Sequence, residues 1–217
     1  MGIAERKKRE KKLLEEMRRK QIQEAAMTVF MDKDFDSATV EEIADRCELS
    51  PATLYLYFKN KQELYASLHL MYLENLHDAI EEVYKNASLS VEEKIMELKN
   101  AMYKTFKCNP VLLKIIFHVQ LYNVLPNLDK KLLNELNRIA RSFMNMMAAI
   151  YEEGVSLGKF KTGHSMMHAD ILWATFSGLV VWEEAKRQIA PAKDFLKTTL
   201  DRAFDIFFWG IKKNAEI

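Results

Sequence analysis

An all-α protein is what this sequence predicts, and three observations predict it. Apolar residues recur at helical spacing along most of the chain, and Gly and Pro number only 6 and 4 among 217 residues. Most interruptions end in a start signal: Ser, Thr or Asn with Glu or Pro close behind. Hydrophobic residues are 49% and charged residues 29%, which leaves room for one small module and a larger core. Cys47 and Cys108 lie too far apart in sequence to suggest a disulfide framework, and they suit a reducing cytoplasm. No apolar run has the length of a membrane span and the N-terminus has no h-region, so neither insertion nor export is expected. The expected division is a small N-terminal unit over 1–60 and a larger helical domain over 61–217.

The net charge of +1 hides a strong asymmetry. Residues 1–23 carry Arg6, Lys7, Lys8, Arg9, Lys11, Lys12, Arg18, Arg19 and Lys20 against Glu5, Glu10, Glu15 and Glu16. Residues 24–60 are acidic on balance. The basic arm is therefore expected to supply long-range attraction to a polyanion such as DNA. The plainer reading is a charged helical extension with Leu13, Leu14 and Met17 on one side. From Ile22 onward, Ala25, Ala26, Val29 and Phe30 keep one apolar face.

Thr39 with Glu42 forms a capping box that opens a short helix, with Val40, Ile43 and Ala44 inward. Cys47-Glu48-Leu49 breaks the period. Ser50 then suits an N-cap and Pro51 the first helical position, for a helix expected over Pro51 to Phe58. Two short helices around a three-residue turn form the helix-turn-helix pattern, whose second helix enters the major groove. Leu54 and Phe58 point to the core. Thr53, Tyr55, Leu56 and Tyr57 cover the remainder, with Lys59 and Lys61 behind, and hydroxyls beside lysines are what phosphate contacts use.

At these residues the chain resembles the TetR family of bacterial repressors. The resemblance runs from Ile22 through Leu68: Ala26 to Phe30, then Thr39, Val40, Ile43 and Ala44, then Ser50, Thr53, Leu54, Tyr55, Tyr57 and Phe58, then Lys61 and Leu64. Three positions depart, since Asp34, Glu48 and Ala52 stand where that family often has glycine. A left-handed backbone at Glu48 would cost about 1–2 kcal/mol. The resemblance implies a DNA interface made of Thr39, Ser50, Pro51, Ala52, Thr53, Tyr55, Tyr57 and Lys61. Thr53 and Ala52 would face bases; Tyr55, Tyr57, Lys61 and Thr39 would hold phosphates.

Beyond the module, Asn60 with Glu63 opens a long helix to about Tyr84, the natural lever between the DNA contact and the rest of the chain. Further helices are expected from Ser90 to about Lys107, from Val111 to Val124, and from Leu128 to about Leu157. Gly154, Gly158 and Phe160 close the last of these in a Gly-x-x-x-Gly-x-Phe arrangement similar to the family's. The final two helices, about 165–188 and 192–212, are apolar over more than one face. Such helices are buried in a core or against another chain. The resemblance implies a homodimer through this pair, as a palindromic operator requires.

The resemblance also implies a cavity for a small hydrophobic or amphipathic ligand, and twelve Met and twelve Phe offer adaptable lining. Candidate contacts are Tyr72, Tyr103, Phe106, Phe117, His118, Tyr122, Asn145, Trp173 and Phe176, although aromatics at helical spacing ordinarily just pack. His164 and His168 are spaced to clasp a metal, but that spacing is common, and no metal or other cofactor is expected. No nucleophile elbow, phosphate-binding glycine loop or supported carboxylate pair is present, so enzyme activity is not expected. The expected function is a ligand-responsive repressor released from its operator by a hydrophobic molecule. The alternative is a helical protein–protein adaptor that keeps the helix-turn-helix only as scaffold.

Overall fold

The computed structural model describes residues 2–33, 35–108, 110, 128–189 and 194–213. The described residues form eight helices: α1 Ile3–Asp32, α2 Val40–Arg46, α3 Pro51–Tyr55, α4 Lys61–Lys85, α5 Val91–Cys108, α6 Lys130–Ser156, α7 Ser165–Ile189 and α8 Leu196–Ile211. None of them is long and apolar enough to cross a membrane. The helix expected over Val111 to Val124, the departure at Asp34 and the break at Ala190-Pro191 lie outside the described residues. Packing divides the chain inside α4, at 71/72, with residues 128–133 grouped with the first unit.

In the first unit the basic arm and the first core helix are one uninterrupted α1. Its N-terminal half is held by local terms: Glu5 accepts from the Gly2 N–H at 3.1 Å, and Arg6–Glu10 and Lys12–Glu16 pair across one turn. Leu13, Leu14 and Met17 stay exposed, as the helical-extension reading expects. From Ile22 the helix turns apolar, and Ile22, Ala26, Ile43, Ala44, Leu54, Phe58, Leu64 and Leu68 close a core with no accessible surface. Phe30, Phe35 and Tyr65 meet in stacked, edge and tilted contacts at 4.6–6.0 Å beside that core.

The turn between α2 and α3 does require the left-handed backbone, with Glu48 at φ 56°. The Leu49 N–H reaches back to the Ala44 carbonyl at 2.9 Å and closes α2 across that residue. A side chain here stores strain of about 1–2 kcal/mol, part of which glycine would return through its freer unfolded chain. Glu48→Gly should therefore stabilise the protein by about 0.5–1 kcal/mol in urea unfolding. A lower midpoint would show that the Glu48 side chain matters more than its backbone.

The second unit holds the rest of α4 with α5, α6 from Asn134 onward, α7 and α8. The close of α6 explains its glycines. A Cβ at Gly154 would lie 2.1 Å from the Phe160 ring, and Gly158 has φ +68°. Phe160 folds back to donate to the Gly154 carbonyl at 3.1 Å and stacks on Tyr151. Its strand-like bridge to Lys212, with the Lys161 N–H on the Ile211 carbonyl at 2.8 Å, ties this corner to the end of α8. Lys94, buried on α5, pairs with Glu153 at 3.1 Å, and Asp201 of α8 takes both Lys99 and Lys197. These two salt bridges from α5 cross-brace the unit.

Candidate nucleic-acid interface

The two short helices owe their start points to side chains. The Thr39 hydroxyl accepts from the Glu42 N–H at 3.2 Å while the Glu42 carboxylate accepts from the Thr39 N–H at 3.1 Å. Lys33 pairs with Glu42 as well, and that ammonium is the main reason the carboxyl is held below its usual range. At α3, the Ser50 hydroxyl accepts from the Thr53 N–H at 3.1 Å and lies 2.9 Å from the Thr53 hydroxyl. Pro51 fills the first position, where an N–H would have had no partner.

The second helix is shorter than expected, ending at Tyr55, with Leu56 and Tyr57 in a turn. The cause is in the hydrogen bonds: the Tyr57 and Phe58 N–H groups both fall on the Leu54 carbonyl. Leu54 and Phe58 anchor it with no accessible surface. Ser50, Ala52 and Tyr55 are exposed, and Pro51, Thr53 and Tyr57 are half-buried. Thr39 is also exposed, and Tyr55 shows 48% of its surface.

Lys61 does not fit its expected role as a phosphate ligand. Its ammonium donates to the carbonyls of Phe35 at 2.6 Å, Ala38 at 2.8 Å and Asp36 at 3.4 Å, and lies 4.4 Å from the Phe35 ring centroid. An ammonium has three donors, and all three are committed to the loop before α2. Lys61 is a strut for that loop.

The sequence reading also missed residues that position the interface. Arg19 donates to the Tyr57 carbonyl and lies 4.2 Å over the Phe58 ring, so it braces the turn after α3 from α1. Leu56 is 82% exposed beside Tyr55, the most exposed residue of the α3 turn in the apolar set. Cys47 is buried; its thiol donates to the Ile43 carbonyl at 3.1 Å and burial raises its pKa, so it packs as a small hydrophobe.

The ligand candidates separate in the structure. Tyr72 has no accessible surface, its hydroxyl has no hydrogen-bond partner, and it lines a cavity of about 560 Å³ between α4 and α5. Phe106 and Phe176 have no accessible surface and do not line that cavity. Tyr103 lies under the Lys107 ammonium at 5.7 Å, Asn145 is exposed, and Trp173 packs on Phe143 at 5.6 Å and Phe176 at 6.2 Å. None of these three lines the cavity. Tyr103 sits on another face of α5, and Asn145 and Trp173 lie on α6 and α7, whose described residues do not line it. Phe117, His118 and Tyr122 lie outside the described residues. The cavity has a polar side that the expectation lacked, with Asn75, Glu82, Asn100 and Lys104 among its lining. His164 and His168 spend ring nitrogens locally: His164 Nδ1 accepts from the Met167 N–H at 3.2 Å, and His168 Nδ1 meets the His164 carbonyl at 2.9 Å. His168 also stacks on Tyr151 at 3.9 Å.

An exposed, side-chain-capped helix-turn-helix on a helical chain is the form of a DNA-binding protein. Residues 22–68 match the family described as bacterial regulatory proteins, tetR family. Among curated proteins, the chain is 27% identical over 143 residues to the fatty acid metabolism regulator protein of Bacillus subtilis, covering 66% of this chain and 71% of that one. Among solved structures, it resembles the TetR-family regulator PfmR of Thermus thermophilus, with a TM-score of 0.72, 18% identity and 87% and 97% of the two chains covered. It resembles FadR of Bacillus subtilis in complex with stearoyl-CoA with a TM-score of 0.68, 22% identity and 88% and 98% covered. Residues 22–68 are a tetR-family DNA-binding module, and the chain as a whole has the fold of the TetR-family regulators it resembles.

Proposed function

We propose that the protein is a homodimeric repressor that sits on a palindromic operator through α3 and leaves it when a small hydrophobic or amphipathic molecule binds the larger helical domain. The observation that carries this reading is the exposed surface of α3, since a scaffold helix has no reason to hold Tyr55 in solvent. In this reading residues 1–60 touch DNA and 61–217 bind ligand and partner. Thr53 and Ala52 face bases, with Pro51 beside them, and Ser50 fixes the Thr53 rotamer. Tyr55, Tyr57 and Thr39 hold phosphates, and the basic half of α1 supplies long-range attraction.

The dimer part of the reading draws on α7 and α8. Ile171, Ala174, Gly178, Val181 and Trp182 form an exposed stripe along α7, with Trp182 61% exposed. On α8, Ile206 and Trp209 are 63% and 64% exposed. A stripe this apolar is costly in water, and the small Ala174 and Gly178 within it permit close helix approach. The ligand part draws on the relatives named for fatty acid regulation and on the cavity beside α4. A ligand controls the equilibrium only if it prefers the non-binding arrangement of α4, the helix that follows α3 directly.

Titration of the DNA upstream of the protein's own gene tests the interface. Tyr57→Phe should weaken binding to all sequences alike, whereas Thr53→Val should change which sequence is preferred, by about 1–3 kcal/mol at the contacted position. Lys61→Ala should cost about 2 kcal/mol of stability through the loop it ties, yet leave the salt slope of binding unchanged. A slope reduced by about one in Lys61→Ala would restore Lys61 as a phosphate ligand.

A further inference from the structure

The cavity between α4 and α5 lies within the second unit, and two of its features call for a ligand. The Tyr72 hydroxyl is buried and unpartnered, although buried polar groups are ordinarily bonded. Among the described residues the charged groups of the lining are Glu82, Glu97 and Lys104, a net negative set. Half-exposed Glu97 accepts from the Asn100 amide at 2.9 Å and has no ion pair among the described residues. Val83 and Ala101 supply apolar wall between the charged rim and Tyr72.

We propose that this groove is the effector site and that it takes a compact, cationic amphipathic molecule, its positive group beside Glu82 and Glu97 and an uncharged acceptor such as an amide carbonyl on the Tyr72 hydroxyl. The inference rests on the reading of the protein as ligand-responsive. About 560 Å³ accommodates roughly two dozen non-hydrogen atoms. A polyanionic headgroup such as that of an acyl-CoA meets two carboxylates against the one ammonium of Lys104 and is disfavoured. Because Tyr72 has no accessible surface, the acceptor reaches it only as α4 and α5 part locally, which couples binding to the helix that follows α3.

Procainamide, a cationic aromatic amide, and hippurate, an anionic one of similar size, are the probes for calorimetry on the full chain. Procainamide should bind and hippurate should not. Tyr72→Phe should weaken procainamide about fivefold while raising the melting temperature of the free protein, because the mutation deletes an unsatisfied buried hydroxyl. A purely structural Tyr72 would not show these opposite shifts. Glu82→Gln with Glu97→Gln should weaken procainamide about tenfold and erase the discrimination against hippurate. Equal binding of the two probes, no binding of either, or an unchanged affinity in Tyr72→Phe overturns the assignment. Binding as stated with no change in operator affinity keeps the site and removes the regulatory reading on which it rests.

Discussion

Trp182→Glu combined with Trp209→Glu should convert the protein to a monomer at micromolar concentration and lower operator affinity at least a hundredfold. Both indoles are more than half exposed in a single chain, and indoles are the side chains that most often dominate interfaces, at about 2–4 kcal/mol each on truncation. In a twofold interface every substitution acts twice, and a carboxylate there is buried without a counter-charge. The DNA effect follows from geometry. Each half-site is bound weakly, and joining two chains makes the second contact intramolecular, a gain of about 10²–10⁴. Helical circular dichroism should be unchanged, since neither side chain belongs to the monomer core. Sedimentation and operator titration read the two outcomes; a dimer of unaltered affinity would place the interface elsewhere.

Stability should fall by about 1.4 kcal/mol between pH 7.5 and pH 5.5, and His69 should be the cause. His69 is 4% exposed on α4, neither ring nitrogen has a partner, and burial lowers its pKa from 6.5 to about 4. The neutral ring is favoured in the folded state, while the unfolded chain takes up a proton near pH 6.5. Its contribution is therefore complete above pH 6.5, declines as pH falls, and is exhausted below about pH 4, a loss of about 3 kcal/mol in all. The carboxyls of Asp129, Asp194 and Asp201 are held below their usual range, so their stabilisation is lost only in more acid solution. Glu74, raised mainly by burial, works in the opposite direction. His69→Phe should flatten the profile between pH 5.5 and 7.5 in urea unfolding. A slope that survives this change would show that another group carries it.

Local signals made most of the fold legible. Thr39 with Glu42, and Ser50 with Pro51, announce helix starts through side chains that touch backbone three residues away, and the sequence displays that distance directly. Gly154, Gly158 and Phe160 were recognisable as a pattern. Their reason, a ring packed where a Cβ would stand, needed the fold. The end of α3 was misplaced because a single carbonyl shared by two N–H groups leaves no mark in residue type. Lys61 was misread for a related reason: its partners are the backbone carbonyls of Phe35, Asp36 and Ala38, and carbonyls are the same in every residue. Among the described ligand candidates only Tyr72 lines the cavity, because aromatic residues at helical spacing look alike whether they pack or line a space. Nothing in the spacing of Glu82, Glu97 and Lys104 marks them as one wall, because the sequence does not show that α4 and α5 face each other there.

The central claim is that two copies of α3 read one duplex, and hydroxyl-radical footprinting of the upstream DNA tests it most directly. Two protected tracts are expected on one face of the helix, with centres about 34–36 Å apart or a multiple of that spacing, both lost in Trp182→Glu with Trp209→Glu. A single tract, or even protection along the whole fragment, would contradict it.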